Sequence, residues 1–210
     1  MSNITIPAGS LAGGRQLPLA PPVVLERGPT AAQWGMLSFL VSEVAFFSTL
    51  IVVYRVYLGA AQSGPTSAVL SLPFVIGTTF CLLASSVTIH LAVGALRNAR
   101  MSAFMLWWAF TLGLGAVFLG GTAREWHHLI YDEGLTIKTN LFGTSYYSLV
   151  GLHAFHVTAG LLGLATVLLL ALGGHVRQEH TERLDVLSLY WHFVDVVWVV
   201  VFTVVYVIGR

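Results

Sequence analysis

Beyond residue 30 the sequence runs in long apolar stretches, broken at only four places. The stretches cover about 31–58, 68–96, 101–123, 141–173 and 184–208, each near or above the ~20 residues a helix needs to cross a bilayer. The breaks carry turn chemistry or charge: Gly59 to Pro65, Arg97 to Arg100, Arg124 to Asn140 and Gly173 to Arg183. Strands of a membrane barrel are short and alternate apolar with polar positions. These runs are long and continuous, so the pattern predicts an all-α membrane protein, a five-transmembrane-helix bundle forming one domain over 31–210. No internal repeat is visible, which leaves inverted-repeat transporter architecture without support. Residues 1–30 hold Pro18, Pro21, Pro22 and Pro29, with no Lys or Arg before Arg15. They lack the basic segment and short apolar run of a secretory signal and read as an irregular polar tail.

Composition narrows the class further. The chain is 56% hydrophobic and 9% charged, with a mean hydropathy of +0.81, against roughly 25% charged residues in soluble domains. Ten basic and nine acidic residues cannot clothe a soluble globule of this size. That excludes a cytosolic enzyme, a nucleic-acid binder and a disordered adaptor. One cysteine, Cys81, excludes a disulfide scaffold and a thiolate-bound cluster, and reads as a small packing residue.

Arginine and lysine set orientation. With a cytoplasmic N-terminus, Arg15, Arg27, Arg97, Arg100, Arg177 and Arg183 lie inside, and Arg55, Arg124, Lys138 and Arg210 lie outside. The bias predicts a cytoplasmic N-terminus and a periplasmic C-terminus. Small residues at helix-packing spacing, Ala116/Gly120, Ala159/Gly163 and Gly77/Cys81, predict close helix approach.

Charged groups at a helix centre cost roughly 2.5–3.5 kcal/mol on insertion scales, so each needs a reason. Counting a rise of ~1.5 Å per residue, Glu43, His156 and Asp195 fall within about 6 Å of one depth. His153 lies one turn outward of His156, and His192 one turn from Asp195. His90 sits nearer the cytoplasmic side, and Glu125, His127 and His128 sit at the outer interface with Trp126 and Tyr131. His153/His156 and His192/Asp195 are i,i+3 pairs, so each shares a helix face that should point into the bundle.

A di-metal site needs Glu-x-x-His motifs on two facing helices, but only Glu125-x-x-His128 is present, far in depth from Glu43. Haem could be held by His156 and His192 from different helices, although their i,i+3 partners look more like hydrogen-bonding neighbours. The residues by themselves favour a buried hydrogen-bond network, with a proton- or lipid-related role as its functional extension. Glu43 has no basic residue three or four positions away on its own helix, so it is expected to pair with His153 or His156, or else to stay as the neutral acid. Phe46 and Phe47 would exclude water around it.

At these residues the sequence resembles subunit III of the haem–copper terminal oxidases, the cytochrome c and quinol oxidases. Four blocks carry the resemblance, in the family's order: Trp34-Gly-Met-Leu-Ser-Phe-Leu-Val-Ser-Glu43, Arg124-Glu-Trp-His-His-Leu129, Gly151-Leu-His-Ala-Phe-His-Val157 and Tyr190-Trp-His-Phe-Val-Asp-Val-Val-Trp198. The resemblance implies a non-catalytic subunit of a proton-pumping oxidase of aerobic respiration, with no catalytic residue and no cofactor or metal on this chain. It would stabilise the catalytic subunit and support proton uptake, lipid binding and oxygen access. Haem and copper are expected in partner subunits, and the expected partners are catalytic subunit I, subunit II, other membrane subunits and phospholipids. The expected location is the bacterial cytoplasmic (inner) membrane.

By the resemblance, Glu43, His153, His156, His192 and Asp195 fall on the family's intramembrane polar positions. Arg177 and His180 lie in a loop where the family contacts phospholipid headgroups. The long family form has two further helices before the glutamate helix, whereas here a polar tail precedes Trp34, as in the five-helix bacterial form. Any intact lipid cleft would then take its other wall from a neighbouring subunit. Rival readings are a subunit III-like component of a nitric oxide reductase complex and, from a different class, a small haem-binding quinone reductase.

Overall fold

The computed structural model describes residue 28 and residues 30–58 and 64–209. Five helices in it are long and apolar enough to cross a membrane. They are α1 (Ala31–Tyr57), α2 (Leu72–Arg97), α3 (Met101–Tyr131), α4 (Leu141–Leu172) and α5 (Thr181–Phe202). No strand occurs among the described residues. The expected tail over 1–30 lies, apart from residues 28 and 30, outside the described residues, as do residues 59–63 and Arg210.

The connections follow from local chemistry. Pro73 sits in the first turn of α2, where its missing N–H costs nothing. Asn140 caps α4 by accepting from the Gly143 N–H at 2.8 Å, and its own amide donates to the Pro65 carbonyl at 3.0 Å. One side chain thereby starts α4 and ties it to the loop ahead of α2. The α2–α3 turn is so tight that Ala99 takes a φ of 55°, a left-handed conformation that a non-glycine residue seldom adopts. The two helices consequently form the most extensively packed pair in the bundle.

Three boundaries differ from the sequence expectation, the first being α2, which starts at Leu72 rather than near 68. α3 runs to Tyr131 rather than ending near 123. Polar residues at the interface do not break a helix, and the Arg124 guanidinium lies over the Phe74 ring at 5.6 Å, covering apolar surface while staying near water. α5 starts at Thr181 and passes at Thr203 into a π-helical stretch, Thr203–Ile208.

α4 packs mainly on α1, α3 and α5, while α5 packs on α1, α2 and α4. α1 is peripheral and buries only Leu40, Phe47 and Tyr54. Lipid gives no hydrophobic drive to helix association, so close packing and interhelical hydrogen bonds must hold the bundle. Three tryptophans supply both. The Trp108 indole donates to the Leu164 carbonyl (2.9 Å), Trp191 to Ser85 Oγ (2.8 Å) and Trp198 to Thr79 Oγ1 (2.9 Å).

Trp191 fits only because glycines face it. A Cβ at Gly160 of α4 would come within 2.7 Å of the ring, and one at Gly115 of α3 within 2.9 Å. The expected small-residue pairs do not all serve this way. Gly163 has Leu187 against it, whereas Gly77 and Gly120 face open space.

On the side of the α2–α3 turn, Arg97 forms a two-pronged ion pair with Asp185, at 2.8 and 2.9 Å. Gln178 also donates to the Arg97 carbonyl. The Arg97 side chain is 59% exposed, so the pair has the energetics of a surface bridge. Replacing Asp185 with Asn is expected to cost under about 1 kcal/mol, read as a Tm shift of a few degrees at most.

Candidate functional site

Glu43 of α1 and His156 of α4 meet inside the membrane. Glu43 Oε2 lies 3.2 Å from His156 Nε2, within ion-pair distance but not aligned as a hydrogen bond. His156 Nδ1 is 2.9 Å from the Leu152 carbonyl. A carbonyl can only accept, so Nδ1 carries a proton and the tautomer is fixed. Nε2 therefore faces the carboxyl either bare or as a second N–H. The contact is favourable only when one proton lies between the two groups, as carboxylic acid with neutral imidazole or as carboxylate with imidazolium.

Surrounding groups fix that geometry. The Tyr190 hydroxyl donates to the His156 carbonyl at 3.0 Å, and the Phe47 ring lies 5.3 Å from the imidazole, centroid to centroid. Phe47 is buried and excludes water as expected. Phe46 does not, because it faces outward with half its surface exposed.

The other mid-membrane groups do not join this pair in one network. His153 is fully buried, stacks on Trp198 (4.8 Å) and meets the edge of Phe118 (5.8 Å). Neither of its ring nitrogens has a hydrogen-bond partner among the described residues. Asp195 Oδ2 accepts from Ser86 of α2, whose oxygen also lies 3.0 Å from His192 Nδ1. Spacing correctly put His192 and Asp195 on one face. It could not show that Ser86, a residue with no charge to draw notice, would bridge them. Among the described residues, no three His, Cys, Asp or Glu side chains group as a metal site would require.

Glu125 is the residue whose enclosure depth counting did not reveal. It was expected at the outer interface beside His127 and His128, which are indeed exposed. Instead it is only 6% exposed and accepts from the Tyr206 hydroxyl at 2.9 Å. The Tyr206 hydroxyl also lies 3.1 Å from that of Tyr146. The signal available in sequence was the run Phe118, Thr122, Glu125, Leu129, spaced by four, three and four residues, which continues one buried stripe of α3 past the point where apolarity stops.

Arg177 and His180 sit in the α4–α5 connection, where the Arg177 backbone N–H donates to His180 Nδ1 at 3.0 Å. Close by is a shallow cavity of about 250 Å³, with His175, His180 and Arg183 above an apolar floor that includes Leu170 and Leu187. His180 lines it and Arg177 does not. His175 and Arg183 are the additional cationic or titratable groups there.

The family model for cytochrome c oxidase subunit III matches residues 28–210. The chain is similar to cytochrome c oxidase subunit 3 of Alkalihalophilus pseudofirmus, 38% identical over 176 residues that cover 83% of this chain and 85% of that protein. It is also similar to cytochrome bo(3) ubiquinol oxidase subunit 3 of Pseudomonas aeruginosa, 34% identical over 177 residues, covering 84% of each. Cytochrome c oxidase subunit 3 of Bacillus subtilis is 35% identical over 176 residues, covering 83% of this chain and 85% of that protein.

Proposed function

This chain belongs to the cytochrome c oxidase subunit III family, and we propose that it works as a non-catalytic membrane subunit that holds a proton beside the catalytic subunit of a respiratory haem–copper oxidase. The observation that carries the proposal is the Glu43–His156 contact, a carboxyl oxygen 3.2 Å from an imidazole nitrogen whose ring is oriented by the Leu152 carbonyl. A group that binds one proton at mid-depth, on a peripheral helix, suits a role in sustaining proton uptake by a neighbouring subunit. Haem and copper belong on that neighbour, and no redox metal is assigned to this chain. Support for that assignment is the use of His156 Nδ1 by the backbone and the enclosure of His153 between aromatic rings.

The finer reading has three further parts. The N-terminus is cytoplasmic and the C-terminus periplasmic in a bacterial inner membrane, on the arginine bias. A C-terminal reporter active only on the outer side is the expected result. Phospholipid headgroups are held at His180 and Arg183, where cationic or titratable groups rim an apolar floor. Oxygen access is supported by lipid in the seam beside Glu43, which is partly open.

Glu43 provides the test. A glutamine there can donate its amide N–H to His156 Nε2, so the Glu43→Gln complex should assemble with normal subunit content and normal haem spectrum. It can no longer exchange a proton, so proton uptake and the lifetime of the turning-over complex should fall several-fold. Glu43→Ala leaves the imidazole unpaired at about 1–3 kcal/mol, and should lower the Tm of the complex as well. Parental proton uptake in the Gln variant would remove the proton role. Absence of haem–copper subunits from the purified native complex would remove the oxidase assignment itself.

A further inference from the structure

Most mid-membrane polar groups of this chain are enclosed by the chain itself, but one set is not. α2 and α5 meet along a seam centred on Ser86 and His192, close to the middle of both spans. The single hydroxyl proton of Ser86 goes to Asp195 Oδ2. The same oxygen can therefore only accept from His192 Nδ1, 3.0 Å away, which places the imidazole proton on Nδ1. In the neutral ring Nε2 is then a bare acceptor, and it has no hydrogen-bond partner among the described residues. The ring is only half-buried. One turn along α2 from Ser86, His90 is exposed, makes no hydrogen bond among the described residues and lies within electrostatic range of His192.

Hydrocarbon cannot satisfy these rings, and an unsatisfied polar group in that medium is costly. A lipid tail offers no donor, and headgroups lie ~15 Å from the midplane of a bilayer whose core is ~30 Å thick. A second copy of this chain, docked with its His192 against this one, would bring one bare acceptor against another. What fits is a different helix carrying an O–H or N–H at that depth. Val87 and Val196, which flank the polar positions, are 61% and 63% exposed, so the seam opens onto the outer surface of the bundle.

We infer that the α2–α5 seam is the surface through which this chain docks onto a membrane-spanning helix of a partner subunit, and that this helix presents a hydrogen-bond donor to His192 at mid-membrane. The inference rests on the oxidase-subunit reading for the existence of a partner, and on the seam alone for where the partner sits.

The test is photo-crosslinking in host membranes that carry the whole complex. A benzophenone amino acid is placed at Val87 or Val196 in the seam, and at Phe155 or Leu162 on the exposed surface of α4 as controls. The seam positions should capture another membrane subunit at least tenfold more than the controls do. Capture of a second copy of this chain, capture of lipid alone, or capture of the partner from α4 but not from the seam would each overturn the docking surface.

Copurification separates the two readings. If oxidase subunits copurify and the seam does not crosslink, only the docking surface fails. If none copurify, the oxidase-subunit reading fails first and takes the docking surface with it. For the donor, His192→Gln keeps a side-chain acceptor and should copurify with its partner at parental yield, whereas His192→Leu should lose at least fivefold. Equal parental yields for both would overturn the hydrogen bond.

Discussion

Replacing Gly160 with leucine is expected to prevent the bundle from closing, while the same change at Gly113 should leave it intact. Gly160 lies against Trp191, whose ring is fully buried and whose indole N–H is committed to Ser85. The ring is also backed by Gly115 of α3, so it has nowhere to retreat. Overpacking a core costs about 1–3 kcal/mol and occasionally more. With a Cβ already at 2.7 Å before the rest of the side chain is counted, the upper end or beyond is expected. Gly113 meets nothing within 4 Å, and leucine is the better helix former by nearly 1 kcal/mol. Membrane accumulation and thermal unfolding of the two variants would check this. Pairing Gly160→Ala with Trp191→Phe should recover part of what Gly160→Ala alone loses, because the smaller ring frees the space the methyl needs. Additive losses would mean that the two positions do not share one space.

The second large effect is expected at Tyr206. Replacing it with phenylalanine removes the donor to the buried Glu125 carboxyl and, at the same stroke, the partner of the Tyr146 hydroxyl. Leaving buried polar groups without partners costs about 1–3 kcal/mol, more when one is charged. A loss near 3 kcal/mol is expected in the thermal stability of the complex. Glu125→Gln keeps an oxygen to accept from Tyr206 and should cost far less. In a Glu125→Leu background, Tyr206→Phe should cost about 1 kcal/mol less than it does alone, which is the coupling a double-mutant cycle reads. Equal cost in both backgrounds would show that the hydroxyl matters for some reason other than the carboxyl.

Hydropathy made the five spans legible because a bilayer imposes length and apolarity on every crossing helix. The Glu43–His156 pairing was legible to within one turn, since both residues had to sit at one depth and Glu43 has no basic residue within a turn on its own helix. What depth counting could not supply is rotation about each helix axis. Ala116/Gly120 and Gly77/Cys81 have the spacing of packing pairs, yet Gly120 and Gly77 face open space. The tight approaches fall at Gly115, Gly121 and Gly160, which face large or branched side chains of other helices. Spacing selects residues that share a face, and it does not say which face meets a neighbour. The pairing of Glu125 with Tyr206 was hidden for a related reason. It requires α3 to continue past its charged residues and α5 to end in a π-helical stretch, and a 3.6-residue period describes only the first of these.

The peripheral seat of α1 has a consequence for how the chain is made. Its partners are α4 and α5, which leave the ribosome after α2 and α3, so α1 must wait in the membrane until they arrive. Glu43 enters the bilayer with no histidine to meet, and His156 follows roughly a hundred residues later, on the order of ten seconds at ordinary rates of synthesis. During that interval the α2–α3 hairpin can already close, since a three-residue turn joins its halves, but the glutamate helix stays single. A nascent chain halted before α4 should therefore be a preferred substrate for membrane proteases or insertion chaperones, and Glu43→Leu should relieve that dependence. Ribosome-stalled chains of increasing length, compared for protease sensitivity, would show protection of α1 arriving only once α4 has emerged.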